Sequence, residues 1–351
     1  MKETSPNRVI YFDLLRIAAT FAVVVLHISA SRFSKLDYAS FQWNVQNVYN
    51  GISRWGVGIF VMISGALFLK EDIPLKKLYR KYILRIALSF IFWSFLYSLL
   101  FNLIPGSSVK DFLKGIVKGH NHLWFLYMIA GMYMIVPFLR KIIVDEKLTR
   151  YFLMIGLIFA FIIPQAISII RVFSEEYGTL AQTVVDNMHL HFVLGFSVYF
   201  VLGYYLSQET IPPKLERTIL ILGMFGLVTT VLGNAVMADH FKNPTEFFYA
   251  NNTVNVLLEV VGVFILFKKL FGNVHLSESM ERKICALSKY SFGAYLIHPA
   301  VKRYLDKTIH MSAAAFNPIF SIPLTALVVF IISYALSAIL NRIPVVKKYL
   351  V

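Results

Sequence analysis

Long apolar segments recur along the whole chain, and short polar connections separate them. A helix needs roughly 20 mostly apolar residues to cross the hydrocarbon core of a bilayer, and it satisfies its own backbone polar groups there. The pattern therefore predicts an all-α integral membrane protein with about ten transmembrane helices. These spans are predicted near residues 10–30, 52–69, 83–104, 123–139, 151–170, 190–206, 218–237, 254–271, 289–305 and 315–340.

The connections between the apolar segments are too short to form a separate soluble domain, so residues 1–351 are predicted to be a single transmembrane domain. If the N-terminus lies in the cytoplasm, the cytoplasmic segments carry about twice as many Lys and Arg residues as the outer segments. Positively charged loops stay preferentially in the cytoplasm. The charge distribution therefore predicts that both termini are cytoplasmic.

The composition agrees with a membrane protein, because 58% of the residues are hydrophobic, 15% are charged and the mean hydropathy is +0.66. In a soluble protein, a net charge of +15 would suggest nucleic acid as a partner. Here the loop bias accounts for most of the charge, so no nucleic-acid partner is predicted. Cys285 is the only cysteine, which excludes an internal disulfide.

The first predicted span carries three ionisable residues, in the segment FDLLRIAATFAVVVLHIS. By helical geometry, His27 lies within about 20° of Arg16 and about 16 Å further along the helix. Asp13 lies one turn before Arg16, near the same face. Ionisable groups are costly in a membrane and usually face a partner or a cavity. Two interpretations remain: an interfacial Asp13–Arg16 pair with a structural histidine, or a functional stripe that faces a cavity.

Other polar residues stand near the outer ends of predicted spans. Those that can converge with His27 on one outer cavity are Arg54, His122 and His298, and Trp124 beside them is typical of a membrane interface. Histidine titrates near neutrality, so it can move protons or carry an acyl group. Clustered histidines also bind metals, but the spacing of His120 and His122 and the lack of a nearby acidic residue predict no metal site. Glu259, in the eighth predicted span, is a buried hydrogen-bonded group, a base or an acceptor for a sugar hydroxyl.

A basic segment, KEDIPLKKLYRKYILRI, follows the second predicted span. This segment contains a cluster of cations, which are Lys76, Lys77, Arg80, Lys81 and Arg85. Such a cluster can hold the phosphates of an anionic cofactor through charge-assisted hydrogen bonds. It can equally be a topology anchor or a contact with anionic lipids. Within the second span, Ser64-Gly65 favours close helix approach, and a nucleophilic serine is the alternative.

Five stretches, in sequence order, resemble one family, the acyltransferase type 3 family of multispanning membrane acyltransferases. They are YFDLLRIAATFAVVVLHIS, with its Arg and His eleven positions apart, SRWGVGIFVMISGALFL, the basic segment from Lys76 to Arg85, HLWFLYMIAGMYMIVPFL and LSKYSFGAYLIHP. Within that family, the chain resembles surface-polysaccharide O-acetyltransferases. It departs from many peptidoglycan O-acetyltransferases, which carry a glutamate where this chain has Ile129.

The resemblance implies an O-acetyltransferase of the bacterial inner membrane that takes an acetyl group from acetyl-CoA on the cytoplasmic side. The donor's phosphates would lie against the basic segment, with Arg16 and Asp13 further in. His27 would be the general base or would briefly accept the acetyl group itself. The residues that would orient the acceptor or stabilise the transition state are Arg54, His122, Trp124, His298 and Glu259.

The implied acceptor is a polysaccharide or a lipid-linked oligosaccharide, and further partners are membrane lipids, a second copy of the chain or polysaccharide-assembly proteins. A transporter or flippase for such substrates is the main alternative, because polar residues within the membrane serve transport as well. A sensor or anchoring module and a succinyltransferase are further alternatives. Only an acyltransferase consumes a thioester, which separates the two main interpretations.

Overall fold

The computed structural model of the protein describes residues 8–102, 108–190, 195–274 and 276–351. Within these ranges the chain forms 18 α-helices. They are α1 Ile10–Ser29, α2 Phe41–Gly51, α3 Trp55–Phe68, α4 Leu75–Lys77, α5 Leu84–Asn102, α6 Val109–Lys118, α7 Trp124–Ile143, α8 Glu146–Leu157, α9 Ile163–Phe173, α10 Glu175–Asn187, α11 Phe196–Gln208, α12 Pro213–Val228, α13 Asn234–Phe241, α14 Val254–Phe271, α15 Glu278–Lys289, α16 Ser291–Ile309, α17 Pro318–Leu340 and α18 Pro344–Tyr349.

Among the described residues, seven helical segments are long and apolar enough to cross a membrane. They are Ile10–Lys35, Phe41–Phe68, Leu75–Phe101, Val109–Ile143, Glu146–Phe173, Pro213–Phe241 and Pro318–Leu340. No strand occurs in the described ranges, so the prediction of an all-α integral membrane protein is confirmed.

Three further predicted spans, near 190–206, 254–271 and 289–305, contain α11, α14 and α16, which are not among these seven segments. Residues 191–194 of the first of them, and residues 103–104 of the span predicted near 83–104, lie outside the described residues. The number of ten spans, the cytoplasmic position of both termini and the single domain stay predictions.

Short π-helical segments join three pairs of helices end to end. They lie at Leu78–Ile83 between α4 and α5, at Ile158–Ile162 between α8 and α9, and at Thr229–Gly233 between α12 and α13. Single π-helical turns inside helices often occur at functional sites. The first segment carries Arg80 and Lys81 of the basic segment, and the third carries a contact of Glu259 that is described below.

Helix α1 lies at the centre of the bundle, in contact with α2, α3, α14, α15, α16 and α17. Its side chains are buried on several sides, and those of Leu15, Ala19 and Ile28 are at most 1% exposed. A helix that is apolar nearly all round is expected in such a position. The ionisable residues of α1 therefore face other helices of this protein.

Two glycines allow α3 and α11 to touch along their backbones. A Cβ atom on Gly65 would lie 1.8 Å from the Phe200 carbonyl oxygen, and one on Gly203 would lie 2.1 Å from the Met62 carbonyl oxygen. No side chain fits at either position, so glycine is required for this contact. The geometry agrees with the close helix approach expected of Ser64-Gly65.

Candidate functional site

Four histidines meet at one end of the helix bundle, and we call them the histidine cluster. They are His27 near the end of α1, His120 and His122 just before α7, and His298 in α16. The ring centroids of His27 and His298 lie 5.1 Å apart, and those of His122 and His298 lie 5.5 Å apart. The Nδ1 atoms of His120 and His122 lie 2.9 Å apart, within hydrogen-bonding distance. Three distant parts of the chain thus form one imidazole-rich site.

The tautomer of His298 follows from the proline after it. Pro299 has no N–H group, so the carbonyl oxygen of Tyr295, four residues earlier, has no helical donor. The Nδ1 atom of His298 lies 2.6 Å from that oxygen, and a carbonyl oxygen only accepts, so Nδ1 carries the proton. In the neutral ring Nε2 is then an unprotonated acceptor, and it is buried without a hydrogen-bond partner among the described residues. This nitrogen is available to a bound hydroxyl group.

Tyrosines and a lysine hold the cluster together. The Tyr295 hydroxyl donates to the carbonyl oxygen of His122, whose own Nε2 is buried and has no partner in the described part of the chain. The Tyr97 ring stacks on the ring of His120, with the two ring centroids 4.7 Å apart. Lys302, one turn beyond the proline of α16, donates from Nζ to the carbonyl oxygen of His27. The backbone that carries His27 and His122 is thus held in place, while the Nε2 atoms of His122 and His298 have no hydrogen-bond partner among the described residues.

Arg54 lies beside the histidine cluster, immediately before α3. Its Nη1 atom donates to the Tyr249 carbonyl oxygen at 3.1 Å, and its guanidinium carbon lies 3.9 Å from the centroid of the Tyr249 ring. Its charge interacts electrostatically with both His27 and Glu259. Arg54 therefore stands between the cluster and the polar groups of α14.

Glu259 belongs to a separate polar network. Its side chain is 2% exposed, and its Oε1 atom accepts a hydrogen bond from the Thr230 hydroxyl in the third π-helical segment. Asn255, one turn earlier in α14, donates to the same hydroxyl oxygen at 2.7 Å. The second carboxylate oxygen, Oε2, has no partner among the described residues. The carboxylate is thus held by one oxygen and can accept a ligand at the other.

A cavity of about 410 Å³ has Tyr295 in its wall, and we call it the basic cavity. Its cations are Arg8, Arg16, Arg85 and Lys289. The other lining residues are Phe60, Ser64, Tyr82, Ile86, Phe125, Ile129, Tyr133, Ser288, Ser291, Phe292 and Tyr295. The Tyr295 ring centroid lies 5.5 Å from that of His122 and 5.9 Å from that of His298. The cavity wall and the histidine cluster therefore share Tyr295.

Asp13 organises the cations of this cavity. Its side chain is 1% exposed and accepts hydrogen bonds from Arg8 at 2.7 and 3.0 Å, from Arg16 at 3.2 Å and from the Ser288 hydroxyl at 2.6 Å. The hydrogen bonds with Asp13 raise the pKa of Arg8. Asp13 and His27 are 14 residues apart in α1, which is about 21 Å along the helix axis. Asp13 thus positions arginines and does not touch the cluster.

The predicted cofactor cations separate in the structure. Arg85 lines the basic cavity and donates to the Val351 carbonyl oxygen. The side chains of Lys76, Lys77, Arg80 and Lys81 are exposed and lie outside the cavity lining. Only the α5 end of the basic segment therefore faces the cavity.

The sequence model of a protein family, described as the acyltransferase domain, matches residues 9–342 of this chain. The chain belongs to the acyltransferase type 3 family. It is also similar to two proteins of Staphylococcus epidermidis, one of them from strain RP62A, each named a probable poly-β-1,6-N-acetyl-D-glucosamine export protein. Each is 27% identical over 157 residues, which cover 37% of this chain and 42% of the relative. The match thus spans less than half of the length of these relatives. No solved structure matches the chain.

In this member of the acyltransferase type 3 family, the structure brings together His27, His122 and His298, three of the residues singled out from sequence. Trp124 lies at the edge of the site, because it is 40% exposed and its ring centroid is 5.7 Å from that of Phe196. No three His, Cys, Asp or Glu side chains in the described ranges are arranged to hold a metal ion.

Several site residues of this acyltransferase family member are not singled out by the sequence pattern. They are Arg8, Tyr133, Ser288, Lys289, Tyr295 and Lys302. Most of them stand inside or next to the stretches that resemble the family, and Lys289 and Tyr295 belong to LSKYSFGAYLIHP. Their position in or next to those stretches is the signal in the sequence that could have indicated these residues. That position does not indicate which side chains face the cavity.

Proposed function

We propose that this membrane acyltransferase is an O-acetyltransferase. It moves an acetyl group from acetyl-CoA to a hydroxyl group of a cell-surface polysaccharide or of its lipid-linked precursor. The observation that carries the proposal is the basic cavity, which has four cations in its wall and shares Tyr295 with the histidine cluster. A donor with an anionic head and a reactive thioester at the end of a long uncharged arm fits these features.

The cations suit the donor's phosphates, since charge-assisted hydrogen bonds to phosphate are strong and Arg binds it in a bidentate manner. Arg16 and Arg85 would hold the phosphates directly, and Asp13 would keep the guanidinium of Arg16 in place. The apolar part of the wall, which includes Ile129, suits an uncharged arm. Arg16 and His27 are about 16 Å apart along α1, a distance that such an extended arm has to cover. The exposed lysines and arginine of the basic segment would attract the donor by their charge.

His27 is the proposed catalytic base. It takes the proton from the acceptor hydroxyl as the hydroxyl oxygen attacks the thioester carbonyl carbon. The carbon–sulfur bond breaks, and the leaving thiolate receives the proton from His27. In the two-step variant, a ring nitrogen of His27 first accepts the acetyl group and then passes it to the acceptor oxygen. Both routes consume one thioester for each ester that is formed.

The remaining residues would bind the acceptor or stabilise the charge that develops on the carbonyl oxygen. Arg54 supplies a positive charge next to His27, the Nε2 atom of His298 accepts from a sugar hydroxyl, and the Nε2 atom of His122 would form a hydrogen bond with a further one. Glu259 would accept a further sugar hydroxyl through Oε2, and Trp124 would contact the sugar from the edge of the site.

The proposed setting is the bacterial inner membrane, with the basic cavity towards the cytoplasm and the histidine cluster towards the outside, as the loop charges predict. Membrane lipids, a second copy of the chain or polysaccharide-assembly proteins are the proposed partners. A succinyl donor is the alternative within the same mechanism.

Export of a polysaccharide is the second candidate function, and the names of the two staphylococcal relatives favour it. An exporter moves its substrate without consuming a thioester. Turnover of acetyl-CoA therefore separates the two functions.

The first experiment measures acetyl-CoA turnover by the purified protein in detergent, with labelled acetyl. We expect slow hydrolysis or self-labelling by the wild type, and its loss in His27→Ala. The matched control is His240→Ala, because His240 is exposed on α13 and lies outside the cluster. If the wild type neither binds nor consumes acetyl-CoA, the donor assignment is wrong and export becomes the better account.

A further inference from the structure

Helix α6, Val109–Lys118, is too short to cross a membrane. Its 10 residues extend about 15 Å, half of the roughly 30 Å of a hydrocarbon core. The helix packs on α5 and is followed directly by the histidines before α7. It therefore lies at the histidine end of the bundle as a surface helix.

The exposed side of α6 has two parallel stripes. Val109, Leu113 and Val117 recur every fourth position and are 75%, 55% and 73% exposed. One position after each of them stands an exposed lysine: Lys110, Lys114 and Lys118. Because residues four apart share a helix face, the apolar stripe and the lysine stripe run side by side along the helix. A basic amphipathic helix of this kind is typical of a contact with lipid and its headgroup.

The helix is fixed in place, so the stripes are a preformed surface. The Ser98 hydroxyl of α5 donates to the Phe112 carbonyl oxygen at 2.8 Å, and the Tyr127 hydroxyl of α7 donates to the Val117 carbonyl oxygen at 2.7 Å. At the start of the helix, the Asp111 carboxylate accepts from the Ser108 hydroxyl at 2.7 Å. These contacts engage the backbone and the acidic residue, and they leave the two stripes uncovered within the described ranges.

Gly119 leads the chain from this helix into the histidine cluster. Its φ of +71° is a backbone conformation that favours glycine, and a Cβ atom at this position would lie 2.8 Å from the Phe90 ring. His120 comes next, and its ring is stacked on that of Tyr97. Two residues of chain span at most about 7 Å, so the backbones of Lys118 and His120 are close together. An anion bound at the end of the lysine stripe would therefore lie beside the histidine cluster.

We propose that α6 docks the phosphate-bearing lipid that carries the acceptor sugar. The apolar stripe contacts the hydrocarbon tail, the lysines bind the phosphate, and the sugar beyond the phosphate meets the histidine cluster. This inference rests on the proposed function, because it identifies the acceptor as a lipid-linked saccharide. A bulk anionic phospholipid would satisfy the charge, but the lysine stripe ends next to the histidines, which favours a lipid whose headgroup takes part in the reaction.

The test measures binding of undecaprenyl phosphate to the purified protein in phosphatidylcholine nanodiscs, without acetyl-CoA. We expect the triple variant Lys110→Gln, Lys114→Gln, Lys118→Gln to bind on the order of tenfold or more weakly than the wild type. Lys307→Gln, which removes an exposed lysine at the end of α16, is the control and binds as the wild type does. Leu113→Asn tests the apolar stripe, and it should weaken binding of undecaprenyl phosphate but not of inorganic phosphate.

Two results would overturn the inference. One is a triple variant that is folded by size-exclusion chromatography and binds undecaprenyl phosphate like the wild type. The other is displacement of undecaprenyl phosphate by an equal amount of phosphatidylglycerol, which would make the surface a general anionic-lipid contact. Because the binding assay contains no acetyl-CoA, its outcome does not depend on donor turnover. Failure of acetyl-CoA turnover in the wild type would refute the proposed function separately.

Discussion

Replacing Gly65 by alanine tests whether the backbone contact between α3 and α11 holds the wall of the basic cavity. The new Cβ atom would lie 1.8 Å from the carbonyl oxygen of Phe200 and 2.5 Å from its carbonyl carbon. Both obstructing atoms belong to the backbone, so no rotamer change relieves the clash. An ordinary contact needs at least 3.4 Å, which requires α3 and α11 to separate by roughly 1.6 Å unless the fold adjusts elsewhere.

Overpacking a tight site costs about 1–3 kcal/mol, and we expect the upper end because the backbone itself has to move. Gly131→Ala in α7 is the matched control, because a Cβ atom on Gly131 meets nothing within 4 Å. Alanine is a better helix former than glycine by about 1 kcal/mol, so this control should be neutral or stabilised. The free energies of unfolding of the two variants should thus differ by about 3 kcal/mol, or roughly a hundredfold in the equilibrium constant.

The assay is denaturation in mixed micelles, followed through the fluorescence of the four tryptophans. Since α3 also carries Phe60 and Ser64 of the cavity wall, Gly65→Ala should raise the KM for acetyl-CoA as well. Equal stability of the Gly65 and Gly131 variants would refute the close packing of α3 against α11. Loss of stability with an unchanged KM would show that α3 does not shape the donor site.

The remaining predictions concern the two ends of the site. Arg85→Gln should raise the KM for acetyl-CoA about tenfold with little change in kcat. The reason is that a charge-assisted contact with phosphate is worth about 1.5 kcal/mol at a partly exposed site. Arg217→Gln, at an exposed position on α12, is the control in the same acetyl-CoA titration. Pro299→Ala restores an N–H group that competes for the Tyr295 carbonyl oxygen, so His298 loses its fixed tautomer. We expect kcat to fall on the order of tenfold and the pH profile of acetyl transfer to change, while thermal stability does not fall. An unchanged pH profile would contradict the positioning role of Pro299.

The spacing of residues along single helices was readable from the sequence. Arg16 and His27 share a helical face because they are eleven positions apart, and the long apolar runs predict helices because a helix satisfies its own backbone polar groups in lipid. The five stretches that resemble the acyltransferase type 3 family were also recognisable, and the family match over residues 9–342 confirms that assignment. These features depend on local order in the chain, which a sequence displays directly.

Only the tertiary structure decided which of these faces meet. Arg8 and Lys289 join Arg16 in one cavity, whereas Lys76 stays exposed outside it, although Arg8, Lys289 and Lys76 are all basic residues near the ends of helices. Glu259 accepts its hydrogen bond from Thr230 and not from the histidine cluster. Helical periodicity gives the direction of a side chain but not the neighbour it encounters. That neighbour depends on packing between helices that are hundreds of residues apart, as between His27 in α1 and His298 in α16.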